Sequence, residues 1–505
     1  MRAILAPLVA IIVGIFMVVL DTTAVNVAVP GLVRQFHGTI PTLQWTITGY
    51  ALAQAAVIPL AGWLSDRLGA KGLFLTSLVL FTLGSALCAT AQSSGMLIAF
   101  RVLQGLGGGF VLPVAMAYIY RLSPPEKVGA VMGLMGIPIL LAPAIGPVLA
   151  GWLVQYASWR WIFLLNLPVG VIGVTLGLRS LPVTARQAVG GLDLPGMILG
   201  PLAFVALSYG ITEGSGGWTS DKALGGIVVG AIALVLFVTA ELRAEAPLLE
   251  LRVFKSIDFS LAIVVQWVGQ FALFGALFLV PLFVQQVRGY GSFDTGLILL
   301  PQAIAAAVFM PIGGVLFDRF GARPLVMGGS ALLAGAALLL TSMSGTTKGT
   351  DLILPLALYG IGMGLMMMPI NTHLINAAPR RLVSRVTSLI GALQQVVTSL
   401  TIAALSTILT SRPSYHEAAD GIAALAAHAA KAGHASAGAA QLPPAISTLF
   451  SHSFDDTFVV IAVMAIVGAA MGLMLRRPTA AQQAEAAVVA EAEDTPELEW
   501  ALLAG

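Results

Sequence analysis

Among 505 residues there is a single cysteine, Cys88, and it falls inside an apolar stretch. That excludes an internal disulfide and any metal site built from several thiolates. Charge is nearly as scarce, since Asp, Glu, Lys and Arg make up 10% of the chain, where a soluble domain carries about a quarter. Sequence signatures of common enzymes are missing too. No glycine-rich loop ends in Lys-Ser or Lys-Thr, which argues against an ATP-driven pump. G-x-S-x-G, H-E-x-x-H and clustered His with carboxylates are absent from the apolar segments, so an intramembrane enzyme has little support. No cofactor or metal is expected, and an ion gradient is left as the energy source.

What is abundant is apolar surface. Hydrophobic residues make up 58% of the chain and the mean hydropathy is +0.94, which requires an integral membrane protein in contact with the lipid bilayer. Stretches of about 20 apolar residues, enough to cross the hydrocarbon core, recur fourteen times. The first covers 7–29, the second 44–63, the fifth 129–152 and the last 456–475. The first contains Asp21 and no small-residue cleavage pattern follows it, so it reads as a retained helix rather than a signal peptide. The formal charge of +2 could suggest an anionic partner such as nucleic acid, but the distribution of bases has a simpler meaning. With the N-terminus inside, most Lys and Arg, among them Arg67, Lys71, Arg121, Arg179, Arg319, Arg323, Arg380 and Arg381, fall on one side. The positive-inside rule then places both termini in the cytoplasm of a multi-pass protein. No nucleic acid partner is needed.

A phrase occurs twice, as Gly62-Trp-Leu-Ser-Asp66-Arg67-Leu-Gly69-Ala-Lys71 and as Gly314-Val-Leu-Phe-Asp318-Arg319-Phe-Gly321-Ala-Arg323. Each copy joins two apolar runs at the same place in its half, as in secondary transporters built from repeats. The expected architecture is all-α: a six-helix bundle over 1–180, a two-helix insert over 181–254, and a second six-helix bundle over 255–478. An outer loop over 411–453 with a helix around Glu417 to Lys431 and a disordered cytoplasmic tail over 479–505 complete it. Four histidines in that loop could suggest metal, but their spacing among small residues reads as solvated chain.

Two charges lie inside spans. Asp21 costs a few kcal/mol on insertion scales, so it is expected either to face a cavity and handle ions or protons, or to sit buried and protonated as a structural group. Arg101 is the matching cation. At 1.5 Å per residue Asp21 lies roughly 12 Å, and Arg101 roughly 9 Å, from the outer ends of their spans. They are expected to pair, as a proton-coupled switch or as a static tie between spans 1 and 4. Span 5 holds Gly136, Pro138, Pro143, Gly146, Pro147 and Gly151, which suits either a pliable helix at the bundle interface or an ordinary kinked span.

Taken together, these residues resemble the major facilitator superfamily and, within it, the fourteen-helix drug:proton antiporters that include the quaternary-ammonium exporters. Gly62 to Lys71 is similar to the superfamily's loop between spans 2 and 3, Asp21 to Pro30 to the first-span motif of the fourteen-helix group, and Arg101 to Gly109 to the span 4 motif. Gly146-Pro147-Val-Leu-Ala150-Gly151 resembles the antiporter motif, with Ala150 in place of a Gly, and Ser158 to Gly170 resembles the group's entry to span 6. The resemblance implies that Asp66 and Arg67, with Asp318 and Arg319, form a cytoplasmic charge latch, and that Asp21 and Arg101 couple transport to protons. It also implies a cavity between the bundles, with Asn26, Gln54, Gln104, Gln266, Trp267, Gln270, Phe271, Phe274, Met367 and Asn371 as candidate lining. Aromatic and thioether side chains adapt to varied apolar shapes. Span 10 has no acid between Thr295 and Phe317, whereas some members of the resembled group that export divalent organic cations have one, so the resemblance implies neutral or monovalent lipophilic substrates. The expected function is proton-coupled multidrug export in a bacterial inner membrane. The alternative is proton-coupled export of a specific metabolite or lipid, and a membrane-fusion accessory protein is an admissible partner for either.

Overall fold

The computed structural model describes residues 2–122, 142, 145–183, 193–214, 217–244, 247, 249–376, 383–431 and 443–475. Among them there is no strand. The helices are α1 (Arg2–Phe36), α2 (Ile40–Leu43), α3 (Trp45–Val57), α4 (Leu60–Leu68), α5 (Ala70–Thr90) and α6 (Ser94–Leu122). A helical stretch over 145–156 is α7. There follow α8 (Arg160–Leu164), α9 (Asn166–Ser180), α10 (Leu194–Glu213), α11 (Asp221–Arg243), α12 (Ile257–Gln286), α13 (Ser292–Phe320) and α14 (Ala322–Leu340). The series ends with α15 (Ile353–Asn376), α16 (Val383–Thr410), α17 (Pro413–Lys431) and α18 (Pro444–Gly472).

Twelve helical segments among the described residues are long and apolar enough to cross a membrane. Two of the fourteen sequence stretches are not among them, for identifiable reasons. The stretch 44–63 is divided at Ile58 and Pro59 into α3 and α4, because an interior proline removes a backbone donor and crowds the preceding turn. Of 129–152, most lies outside the described residues, as do Gly136, Pro138 and Pro143. The first helix also runs to Phe36, past the limit at 29. Within 411–453, residues 413–431 form α17, and 444–453 are the start of α18 rather than loop, whereas 432–442 and the tail 479–505 lie outside the described residues.

Side chains at the N-terminal ends stop several helices from fraying. Asp193, Ser220 and Ser256 accept hydrogen bonds from the backbone N–H groups of Gly196, Ala223 and Phe259 at 3.0, 3.3 and 3.3 Å, satisfying donors that a helix terminus leaves unpaired. The repeated phrase folds the same way twice. Gly69 and Gly321 each terminate one helix and start the next with φ of 82° and 74°, a conformation that favours glycine. The alanine after each is buried in both copies.

The two halves meet unevenly. One core runs from the C-terminal part of α1 (Ala24 to Leu32) through Ile40, Leu43 and Ile47 into α12, α13, α15 and α16. The other core, with Leu8, Ile11, Ile15, Ala61, Phe74 and Val114, draws only on the first half of the chain. Burial along α1 and α12 follows suit. Phe16, Val19 and Thr22 form a half-exposed stripe that stops where 23–30 become wholly buried. Val264, Trp267 and Phe271 form a matching stripe that stops before the buried run 274–285. The bundles are therefore sealed at the end holding the α1 C-terminus and parted at the end rich in basic residues. Helix α10 bridges them on the sealed side. Gln44 donates to Thr212 at 2.8 Å, Ser208 shares a hydrogen bond with Ser399 at 3.0 Å, and Thr407 donates to the Ile211 carbonyl at 2.9 Å.

Candidate functional site

Asp21 sits where the half-exposed stripe of α1 ends, 1% exposed. Its carboxylate receives three donors from two other helices. Arg101 Nη1 approaches Oδ2 at 2.5 Å, and Oδ1 accepts from Gln104 Nε2 at 3.0 Å and Asn166 Nδ2 at 2.8 Å. An ionised carboxylate only accepts hydrogen bonds, and here each of its three hydrogen-bond partners is a donor, one of them cationic. Arg101 is wholly buried and has further partners. Its Nε donates to the Thr46 carbonyl at 2.9 Å, Nη1 also reaches Gln104 Oε1 at 2.7 Å, and the Tyr50 ring lies 3.9 Å from the guanidinium carbon. Nη2 has no hydrogen-bond partner. The cation is thus anchored independently of Asp21, by a carbonyl, an amide and an aromatic face.

Asn166 falls in the Ser158 to Gly170 motif without a site role assigned to it from the sequence, and Tyr50 is absent from the sequence candidates. Asn166 also donates to Ser85 Oγ at 3.0 Å, which donates to the Phe163 carbonyl at 2.9 Å. This chain ties the start of α9 to α5 and aims the Asn166 amide at α1. A void of about 10 Å³ lies beside Asp21 and Asn166, walled by Gly146, Ala150 and Leu153, about the space of one water.

Glycine brings the helices close enough for these contacts. A Cβ on Gly84 would lie 2.6 Å from the Gln104 Cα, and one on Gly107 would lie 2.5 Å from the Phe81 nitrogen. Gly84→Ala must therefore push α5 from α6 and displace Gln104. Overpacking of this kind costs about 1–3 kcal/mol, so the midpoint of thermal unfolding in detergent should fall. Gly335→Ala, in open space, should leave it unchanged; equal effects would remove the packing account.

The remaining candidates fall into separate groups. Gln104 belongs to the ion pair, and Gln54 donates to the Tyr50 hydroxyl at 3.0 Å, behind the ring that faces the guanidinium. Asn26 is 1% exposed and donates to the Thr22 carbonyl at 3.2 Å. In the other half Gln266 donates to Asn371 Oδ1 at 2.6 Å, and Asn371 to the Met367 carbonyl at 2.9 Å. Trp267 and Phe271 are half-buried on the α12 stripe, while Gln270, Phe274 and Met367 are buried. Asn26 Oδ1, Gln54 Oε1, Gln266 Oε1 and Trp267 Nε1 are buried without hydrogen-bond partners.

Gly146 and Gly151 lie in α7, and both are close-approach positions. A Cβ on Gly146 would collide with Thr23 Oγ1, and one on Gly151 with the Ser292 carbonyl of α13; in turn the Pro147 carbonyl fills the space beside Gly296. Of the four latch candidates, the Arg67 and Arg319 side chains are exposed, and Arg67 lies over the Trp63 ring at 4.9 Å. The side chains of Asp66 and Asp318 lie outside the described residues. No group of three or more His, Cys, Asp or Glu is placed to hold a metal among the described residues.

Residues 11–402 match the family model described as Major Facilitator Superfamily. A multidrug resistance protein B homolog of Mycobacterium tuberculosis is 37% identical over 404 residues, 79% of this chain and 74% of the relative. An uncharacterized MFS-type transporter, YhcA, of Bacillus subtilis is 36% identical over 410 residues, 81% of this chain and 77% of the relative. Lincomycin resistance protein LmrB of Bacillus subtilis is 28% identical over 458 residues, 90% and 92% of the two chains. Among solved structures, the inward open xylose transporter XylE from E. coli aligns with a TM-score of 0.61 at 12% identity, covering 94% of this chain and 97% of that one.

Proposed function

The chain belongs to the Major Facilitator Superfamily, and from that premise we propose that this multi-pass transporter of small molecules is a proton-coupled antiporter that exports lipophilic compounds. The observation that carries the reading is the buried Asp21–Arg101 pair, placed where the half-exposed stripe of α1 ends and reached by donors from α6 and α9. With the base-rich face in the cytoplasm, the parted side faces inward.

When Asp21 takes up a proton it no longer attracts Arg101, and the neutral acid can supply one donor where it had accepted only. Arg101 stays on Thr46, Gln104 and Tyr50, so the element released is α1. Because α1 carries Asp21 and packs against α12, loosening it from α6 and α9 links protonation to the relative movement of the bundles. The proton enters when the site opens outward and leaves when it opens inward, each time opposite to substrate.

Relatives named for multidrug and lincomycin resistance support export of foreign compounds. The lining supports lipophilic cargo of zero or single positive charge. Trp267 and Phe271 present apolar faces, the unpartnered Gln266 and Trp267 groups offer neutral hydrogen bonds, and no acid lies between Thr295 and Phe317 of α13.

Everted vesicles acidified by respiration test the reading. Adding lipophilic compounds of unrelated structure should release protons, reported by a pH-sensitive dye, and the same compounds should become less toxic to a pump-deficient host carrying the gene. Proton release restricted to one metabolite or lipid would replace multidrug export by the narrower activity. No release with any compound that the protein demonstrably exports would remove proton coupling.

A further inference from the structure

The sealed face is held by two glutamines that reach across the bundle boundary in opposite directions. Gln155, at the end of α7 in the first half, accepts from the backbone N–H of Phe293 at 2.9 Å. Phe293 is in the first turn of α13, whose cap position is Gly291, with no side chain able to cap the helix. Gln155 therefore caps a helix of the other half. Gln155 Oε1 occupies the space a Cβ on Gly291 would need, so a larger residue there would exclude the cap. Gln285, near the end of α12 in the second half, donates to the Val27 carbonyl of α1 at 3.0 Å while accepting from Ser292 Oγ at 3.3 Å. Ser292 and Phe293 thus lie between the two amides, and separating the bundles at this face breaks both interactions.

We propose that Gln155 and Gln285 form a reciprocal amide clasp that closes the outer side of the transporter, with Gln155 serving as the removable N-cap of α13. The assignment of this face as outer rests on placing the base-rich face in the cytoplasm, as in the proposed function; the clasp itself does not. The two residues act through different chemistry. Gln155 works as an acceptor, so a carboxylate replaces it, whereas Gln285 works on Val27 as a donor, which an ionised carboxylate lacks. A neutral side chain suits Gln285, which is buried, because no desolvated charge has to be freed there each time the face opens.

The test reads the bundle separation directly, without substrate or proton gradient, so it stands or falls independently of transport. Spin labels are placed at Gln35→Cys and Thr350→Cys, both exposed on this face, in full-length protein with Cys88→Ala, in nanodiscs at alkaline pH. Pulsed dipolar spectroscopy then gives the ratio of open to closed distances. Loss of a helix cap corresponds to about a fivefold change in such a ratio, so Gln155→Leu should raise the open-to-closed ratio by that factor. Gln155→Glu should remain near the parent ratio, and Gln285→Glu should open the face as Gln155→Leu does. Equal opening by Gln155→Leu and Gln155→Glu, or no opening by either Gln155→Leu or Gln285→Glu, overturns the clasp.

Discussion

Asp21→Asn is expected to abolish substrate-dependent proton release in everted vesicles while the protein still reaches the membrane and binds lipophilic ligands. Asparagine has nearly the shape of aspartate, and its oxygen can keep the hydrogen bonds from Gln104 and Asn166 that now go to Oδ1. At the Oδ2 position it presents an amide N–H to Arg101 Nη1, donor against donor. Arg101 retains Thr46, Gln104 and Tyr50, which limits the cost of its lost counterion. What disappears is a group able to take and release a proton. Export against a gradient should fall at least about tenfold, equivalent to about 1.4 kcal/mol, with substrate affinity changed far less. Asp21→Glu, which keeps the acid but adds a methylene in a site 1% exposed, should retain proton release at a reduced rate. If Asp21→Asn exported drug and released protons as the parent does, the coupling site would have to lie elsewhere.

The parts of this site that can be read from the sequence are those the membrane makes costly. An ionised side chain in a span must find a partner, so Asp21 and Arg101 stand out, and equal depth is enough to join them. Equal depth assumes a first span that ends at 29, whereas α1 continues to Phe36; the pairing survives because the two helices need not end level. Neutral groups carry no such penalty. Asn166 is one polar residue in an apolar run, but its bond to Asp21 depends on how α9 lies on α5, which periodicity does not report. Tyr50 looks like any other aromatic. The stripe Trp267, Phe271, Phe274 and Phe278 shows the same limit from the other side. Helical spacing puts all four on one face, yet Trp267 and Phe271 are half-buried whereas Phe274 and Phe278 are sealed in the core. The difference arises because the bundles part at one end only, a property of the tertiary arrangement.

Arg101→Met should destabilise the protein more than any other single change considered, and a second substitution should repair that loss without restoring transport. Removing the guanidinium leaves Asp21 charged and wholly desolvated with only two amide donors. Breaking a buried ion pair from one side costs about 3–5 kcal/mol. The vacated volume also opens a void under Tyr50, whose ring now lies 3.9 Å from the cation, although methionine fills much of it. In the Asp21→Asn, Arg101→Met double variant no charge remains, and the oxygen of the introduced asparagine still accepts from Gln104 and Asn166. Replacing both members of a buried pair by neutral groups of similar size is often close to neutral for stability. The midpoint of thermal unfolding in detergent should therefore fall sharply in Arg101→Met and recover most of the way in the double variant. Proton release should be absent from both. This pattern separates a coupling pair from a static tie between α1 and α6. A tie requires only that the helices stay joined, so the repaired double variant would then transport normally; recovery of proton-driven export together with stability would reduce the pair to that structural role.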